Sequence, residues 1–116
     1  MKPFIKEYTN DEKLIDDVKK LKDEGVDGDN VYLLSHDDDR TDRLAGNAHA
    51  NTIGFSEQDF KSAVGNMFNK KGDELRTKLQ EMGFSEGEAD EYEEDMDEGK
   101  VLLIVTETQN VEQLLA

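Results

Sequence analysis

The chain has 116 residues, no cysteine, and a formal charge of −15 from 29 acidic and 14 basic residues. That length reads as one domain over residues 1–116 with room for a modest core, and the missing thiols exclude disulfides and thiolate metal sites. So negative a surface repels phosphate backbones, whose binding rests on Lys and Arg contacts, and no apolar run approaches the roughly 18 residues of a membrane span, so neither nucleic acid nor membrane is an expected partner.

The opening Met-Lys-Pro-Phe-Ile-Lys-Glu has no apolar leader core, which together with the absent cysteines predicts a cytoplasmic protein. Pro3 to Tyr8 reads as a short strand, with proline tolerated at its start. Thr9 and Glu12 are spaced as a capping box. Leu14, Ile15, Val18 and Leu21 then recur at helical spacing and predict one buried stripe. Gly25 is the helix stop, and residues 26–30 form a turn. The acidic run from Asp23 to Asn30 has the look of a calcium loop. An EF-hand begun at Asp23, however, puts Gly25 at position 3 and Leu34 at position 12, where oxygen ligands are needed.

Val31-Tyr32-Leu33-Leu34 is the apolar run of a strand covered on both faces, and it passes straight into Ser35-His36-Asp37-Asp38-Asp39-Arg40. Ligands in open α/β sheets bind outside the carboxyl ends of strands, so this loop is the first candidate site. His36, Asp37, Asp38 and Asp39, with His49 further along, are ligand or metal candidates, because imidazole and carboxylate suit Mg²⁺, Mn²⁺ or Zn²⁺. Side chains alternate along a strand end, so at most two of the three aspartates converge on one ion. The plain alternative is a solvated loop whose aspartates cap the next turn.

The middle of the chain starts helices twice with one device, Gly54-Phe55-Ser56-Glu57 and Gly83-Phe84-Ser85-Glu86. Ser56 is an N-cap with Asp59 at N3 and Phe55 stapled on Phe60; Ser85 pairs with Glu88, and Phe84 meets Ala89. Behind the first cap, Phe60, Ala63, Val64, Met67 and Phe68 predict one wide helical face. Behind the second, Ala89, Tyr92 and Met96 predict a narrow one. The faces differ, so the repeat is convergent capping rather than duplication.

Between them, a helix near residues 72–82 presents Leu75, Leu79 and Met82. Lys70 and Lys71 stand just before it and are phosphate candidates at a helix N-terminus, with internal charge pairing the competing account. Nine of the thirteen residues from Glu86 to Glu98 are acidic. That run is either a docking face for a basic partner or a solvated face. Gly99 stops this helix, Val101 to Val105 is the strongest strand signal, and residues 110–115 add a short helical turn or a frayed end. The order β-α-β-(α)-α-α-α-β predicts an α/β fold with a small, mainly parallel three-stranded sheet and helices packed against it.

Three segments together resemble the YflT-like domain, a family of heat-induced general stress proteins of Gram-positive bacteria: Pro-Phe-Ile-Lys-Glu-Tyr-Thr, Val-Tyr-Leu-Leu-Ser-His-Asp-Asp-Asp-Arg-Thr, and Lys71-Gly72-Asp73-Glu74-Leu75-Arg76. A Phe-Ser-Glu helix with a Tyr leading to Gly-Lys-Val-Leu-Leu-Ile-Val adds to the likeness, which runs from Met1 to Val105 and leaves residues 106–116 as a tail outside it. The resemblance implies a cytoplasmic stress-associated protein and carries no catalytic residues. The chain itself has no Cys and no Gly-x-Ser-x-Gly elbow, and adjacent Ser35 and His36 on a strand point to opposite faces.

The expected function is therefore a general stress response protein acting through protein association, as a homodimer or with another protein, or through weak ligand binding, rather than an enzyme. The cofactor is left open. The alternative is a divalent-metal-binding domain or metal-dependent enzyme at the His36 and Asp37–Asp39 loop.

Overall fold

All five residues of the strand Val101–Val105 are buried, and the rest of the chain is arranged to cover them. The computed structural model describes residues 3–36, 39–51, 55–69, 71–107 and 111–115. In chain order these form β1 (Phe4–Tyr8), α1 (Asp11–Asp23), a single 3₁₀ turn (Gly28–Asn30), β2 (Val31–Leu34), α2 (Arg40–Asn51), α3 (Glu57–Ala63), β3 (Asn66–Phe68), α4 (Gly72–Glu81), α5 (Glu86–Asp97), β4 (Val101–Val105) and α6 (Val111–Leu114).

The sheet has four strands in the order β1-β4-β2-β3. β4 runs antiparallel to both β1 and β2, with Phe4 opposite Val105 and Val31 opposite Val105, while β2 and β3 are parallel. The expected three-stranded, mainly parallel sheet is thus corrected on two counts. First, a fourth strand exists. Met67 and Phe68 fit the helical spacing set by Phe60, Ala63 and Val64, but Gly65 breaks it: α3 ends at Ala63, with Val64 as its C-cap, and Asn66–Phe68 turns into the sheet. Second, β4 points the other way because two helices, not one, lead into it. α4 and α5 form an antiparallel hairpin around Gly83, where φ is 109°. Gly72 N donates to Glu93 Oε1 at 3.1 Å, and Arg76 Nε lies 3.4 Å from Asp90 Oδ1. Each helix reverses the chain, so a pair brings it back antiparallel.

One face of the sheet packs Val31, Leu33, Leu103 and Val105 against Leu14, Val18 and Leu21 of α1, Leu44 and Ala48 of α2, and Phe60 of α3. The other packs Leu34, Leu102 and Ile104 against Leu75 and Leu79 of α4 and Ala89 and Met96 of α5. Val111 and Leu115 are buried in the first cluster, so the tail closes the core rather than fraying.

Helix starts follow the sequence in two of three cases. Ser56 with Asp59, and Ser85 with Glu88, make reciprocal capping boxes, and Phe55 meets Phe60 edge-on at 6.1 Å between ring centroids. Phe84 shares a cluster with Ala89, and its edge-on ring partner is Tyr92 at 5.7 Å. At α1 the cap is Asn10, not Thr9: its Oδ1 accepts from Glu12 N at 2.9 Å and Lys13 N at 3.2 Å. A side-chain amide oxygen one residue later reaches the same orphan amides, so the box spacing misled by one position.

β3 joins β2 through a backbone crossing in which Gly65 N donates to Gly28 O at 2.9 Å. A Cβ on Gly65 would stand 2.6 Å from the Gly28 oxygen, and one on Gly28 would stand 2.0 Å from Ser62 O. Neither obstacle is a movable side chain, so only glycine permits this approach. Gly65→Ala is expected to cost about 2 kcal/mol through forced backbone displacement, read as a lower urea midpoint; an unchanged midpoint would show that the strands part freely.

Asp17 is fully buried on the apolar stripe of α1. Tyr8 Oη donates to its Oδ2 at 2.5 Å, Lys6 Nζ lies 3.3 Å from Oδ2, and Lys13 Nζ lies 3.2 Å from Oδ1. Burial pushes this carboxyl up, but the Tyr8 and Lys13 hydrogen bonds and the charges of Lys6 and Lys13 outweigh it and hold it below the usual range. Because the unfolded carboxyl titrates near about 3.9, Asp17 contributes its full stability above about pH 5 and loses it as pH falls through the depressed folded value. Asp17→Asn should flatten the acid limb of the stability curve and cost about 2 kcal/mol at neutral pH. An acid limb of unchanged slope would show that other carboxylates set it.

Candidate functional site

Strand order decides where a site can lie. β1, β2 and β3 point the same way, so their carboxyl ends share one end of the sheet with the start of β4. After β2 the chain leaves to the face covered by α1, α2 and α3; after β3 it leaves to the face covered by α4 and α5. Neighbouring parallel strands whose connections depart to opposite faces leave a crevice between them, the usual ligand position in such sheets.

A cleft of about 520 Å³ opens at this end of the sheet, on the side of β2 that faces β4. Ser35 and His36 at the end of β2 form its floor, Asp39 and Arg40 enter from the start of α2, and Lys71 from the cap of α4. Met96, Asp97, Gly99 and Lys100 close it from the junction of α5 and β4. Ser35 is buried, and its backbone N donates to Phe68 O at 3.1 Å, which ties the ends of β2 and β3 together.

The His36 side chain is only 10% exposed. Its Nδ1 stands 3.8 Å from Asp97 Oδ1, outside hydrogen-bond reach, and Asp97 itself is 81% exposed. The other ring nitrogen, Nε2, is buried with no hydrogen-bond partner. Asn69 Oδ1, just past the end of β3, is likewise buried and unpartnered. Buried polar atoms without partners are rare and costly, and here two follow the carboxyl ends of the parallel strands.

The basic groups of the cleft differ in how far they are committed. Arg40 is a strap: its Nη2 and Nε donate to Asp11 Oδ1 at 2.5 and 3.2 Å, and Nη1 donates to Gly99 O at 3.4 Å, joining α2, α1 and the turn before β4. Lys100 Nζ sits 3.7 Å from Glu7 Oε2 and 3.8 Å from Asp95 Oδ1, longer than close ion pairs. Lys71 is exposed and makes no capping hydrogen bond through its side chain. No carboxylate pairs with Lys71 among the described residues.

Of the residues singled out from sequence, the structure brings His36, Asp39 and Lys71 to one cleft. Asp37, Asp38 and Lys70 lie outside the described residues. His49 stands nine residues beyond Arg40 in α2, about 13 Å along the helix axis from the cleft, and its side chain is outside the described residues. No group of three His, Cys, Asp or Glu side chains fit for a metal ion occurs among the described residues. The basic segment at Lys71–Lys78 does pair with the acidic helix, through Arg76 with Asp90 and Glu93. Sequence reasoning missed Met96, Asp97, Gly99 and Lys100, which reach the site only because β4 lies beside β2. It also missed Asp17, although an acid between Leu14 and Leu21 on an apolar stripe was a visible signal.

With fold and cleft in view, the chain belongs to the heat-induced stress protein YflT domain family, which matches it over residues 3–99. It is 62% identical over 111 residues to General stress protein 17M of Bacillus subtilis strain 168, an alignment that spans 96% of each chain. No solved structure matches it. No helix among the described residues is long and apolar enough to cross a membrane.

Glu7, beside the cleft, is raised above the usual carboxylate range by burial, then by the hydrogen bond and charge of Asp95, with Lys100 opposing. A raised carboxyl favours the folded state while protonated, and that contribution is lost as pH rises through the raised value. Glu7→Gln, which keeps the neutral form, should therefore raise the melting temperature at pH 7 and leave it near wild type at pH 4. A fall at pH 7 would show that the Lys100 pair dominates.

Proposed function

We propose that this member of a stress protein family works by reversible binding of a small ligand in the cleft at the carboxyl ends of β2 and β3, in the cytoplasm and without covalent chemistry. One observation carries the reading: the cleft at the end of β2 is lined by a nine-tenths buried imidazole, His36, whose Nε2 has no hydrogen-bond partner among the described residues. The cleft volume is in the range of small-molecule sites. The absence of cysteines fits a reducing compartment. The sequence-level metal alternative is less favoured, because Lys71, which pairs with no carboxylate among the described residues, lines the same cleft as Asp39 and Asp97 and a cation there opposes a bound metal ion.

Native mass spectrometry of the protein dialysed against an extract of heat-stressed cells tests this. A retained small molecule of fixed mass is expected with the wild-type chain and not with Asp97→Trp, a cleft-blocking change at an exposed position. Retention by both proteins, or by neither, would overturn the reading.

A further inference from the structure

The negative charge of the chain is not spread evenly over it. Between Gly72 and Glu98 stand twelve acidic and two basic residues, so the α4–α5 hairpin carries a net −10 of the chain's −15. Solubility is served by charge distributed over the surface with both signs interspersed, and gains nothing from this crowding. The crowding also has a local cost. Exposed Glu86, Asp90, Glu94 and Glu98 follow one another four residues apart along α5 and its cap, where like charges repel. No base stands in the last turn of α5, where the helix dipole favours one.

The bases nearby leave that charge uncovered. Arg76 is shared among Asp73, Asp90 and Glu93, three acids against one guanidinium. Lys78 turns to the aromatic rings instead: its Nζ lies 5.5 Å from the Tyr32 ring centroid and 6.0 Å from that of Phe68. Counting Lys71 and Lys100 at the borders of the hairpin still leaves twelve acids against four bases. Lys100 is moreover divided between Asp95 and Glu7, and Glu7 adds a further acid.

Acidity alone marks no site, but a second feature lies beside it. A groove of about 440 Å³ runs between α4 and Phe68 at the β3 edge of the sheet, lined also by Asp73, Glu74, Thr77, Lys78 and Glu81. Carbon dominates its exposed wall. Asp73, Thr77 and Glu81 recur at four-residue intervals, so the groove follows the helix for about 12 Å. Its chemistry is ordered along that length. Acids stand at both ends, Asp73 and Glu74 at one and Glu81 at the other, with Thr77 and the Lys78 stem between them. The Lys78 contacts show that the aromatic faces here accept a cation.

We infer that this groove docks a basic segment of a partner protein, an apolar side chain flanked on either side by lysine or arginine. The apolar residue meets Phe68, and the flanking cations meet the acids at the two ends. A second copy of this chain brings a charge of −15 of its own, which makes it the wrong occupant. No group of three His, Cys, Asp or Glu side chains fit for a metal ion occurs among the described residues. The groove shares no lining residue with the cleft, so this inference and the small-ligand reading stand or fall separately.

The end-capped peptide Lys-Lys-Leu-Phe-Lys-Lys, titrated into ¹⁵N-labelled full-length protein, is the test. It is run at about 0.15 M salt, where exposed charges more than roughly 8 Å apart are screened. Saturating amide shifts are expected at Phe68, Asp73, Thr77, Lys78 and Glu81. Lys-Lys-Gly-Ser-Lys-Lys, equal in charge, should bind about tenfold more weakly for want of the apolar contact. Glu81→Lys should weaken binding about tenfold by setting like charges together, and Thr77→Trp, at an exposed position, should abolish it by filling the groove. Glu91→Lys, at an exposed position of α5, should change it less than about twofold.

Equal affinity for the two peptides, or equal weakening by Glu81→Lys and Glu91→Lys, would overturn the inference as diffuse attraction to an acidic surface. Shifts only outside the groove, or none, would overturn it outright. Shifts of the groove residues on concentrating the protein without peptide would overturn it in favour of self-association.

Discussion

β4 carries five apolar side chains with no polar alternation, so both faces of the strand must be shielded from water. Full burial of five such side chains is worth roughly 10 kcal/mol, comparable to the whole stability of a small domain. A sheet flanked by helices on both faces meets that demand, and it does so only if β4 sits inside the sheet. β1 and β2 therefore flank it, α1, α2 and α3 cover one face, and α4 with α5 cover the other. The position of every other element follows from enclosing that strand.

The cleft is a by-product of the same enclosure. Covering both faces requires the chain to leave β2 on one side and β3 on the other, which opens a crevice between their ends. Placing β4 next to β2 then sets Gly99 and Lys100 beside the end of β2, where the cleft lies. Arg40 ties the rim together by bonding Asp11 and the Gly99 carbonyl, so the guanidinium holds the cleft's shape while Lys71 stays unpaired among the described residues. Asp17 does comparable work in the body of the fold, where one buried carboxylate joins Tyr8 and Lys6 of β1 to α1.

What was readable in the sequence was what depends on near neighbours. The apolar runs of β2 and β4, the Ser56 and Ser85 boxes, the stops at Gly25 and Gly99 and the stripe of α1 all rest on residues within a turn or a pleat of one another. β3 escaped because three residues are too few to show a two-residue period, and Met67 and Phe68 happened to continue the spacing of Phe60 and Val64. The isolated Gly65 was the local clue, and its reason, the Gly28 backbone pressed against it, lies 37 positions back in the chain. Strand direction turned on α4 and α5 folding back on each other, an effect of tertiary packing that no single window contains. The site was half legible: His36 and Lys71 stood out as residue types in suggestive places, whereas their convergence with Asp97 and Lys100 depended on strand order.

β3 is one edge of the sheet and contributes only three residues to it, with the Asn66 side-chain amide donating to the Asp29 and Val31 carbonyls at 2.8 and 3.2 Å. The opposite edge, β1, carries Lys6 and Glu7 at its middle. Open strands are where denatured polypeptides dock and begin to assemble into insoluble material, and a brief or charged border gives them little to template on. The sheet borders of this chain thus suit it to stay dispersed among other polypeptides.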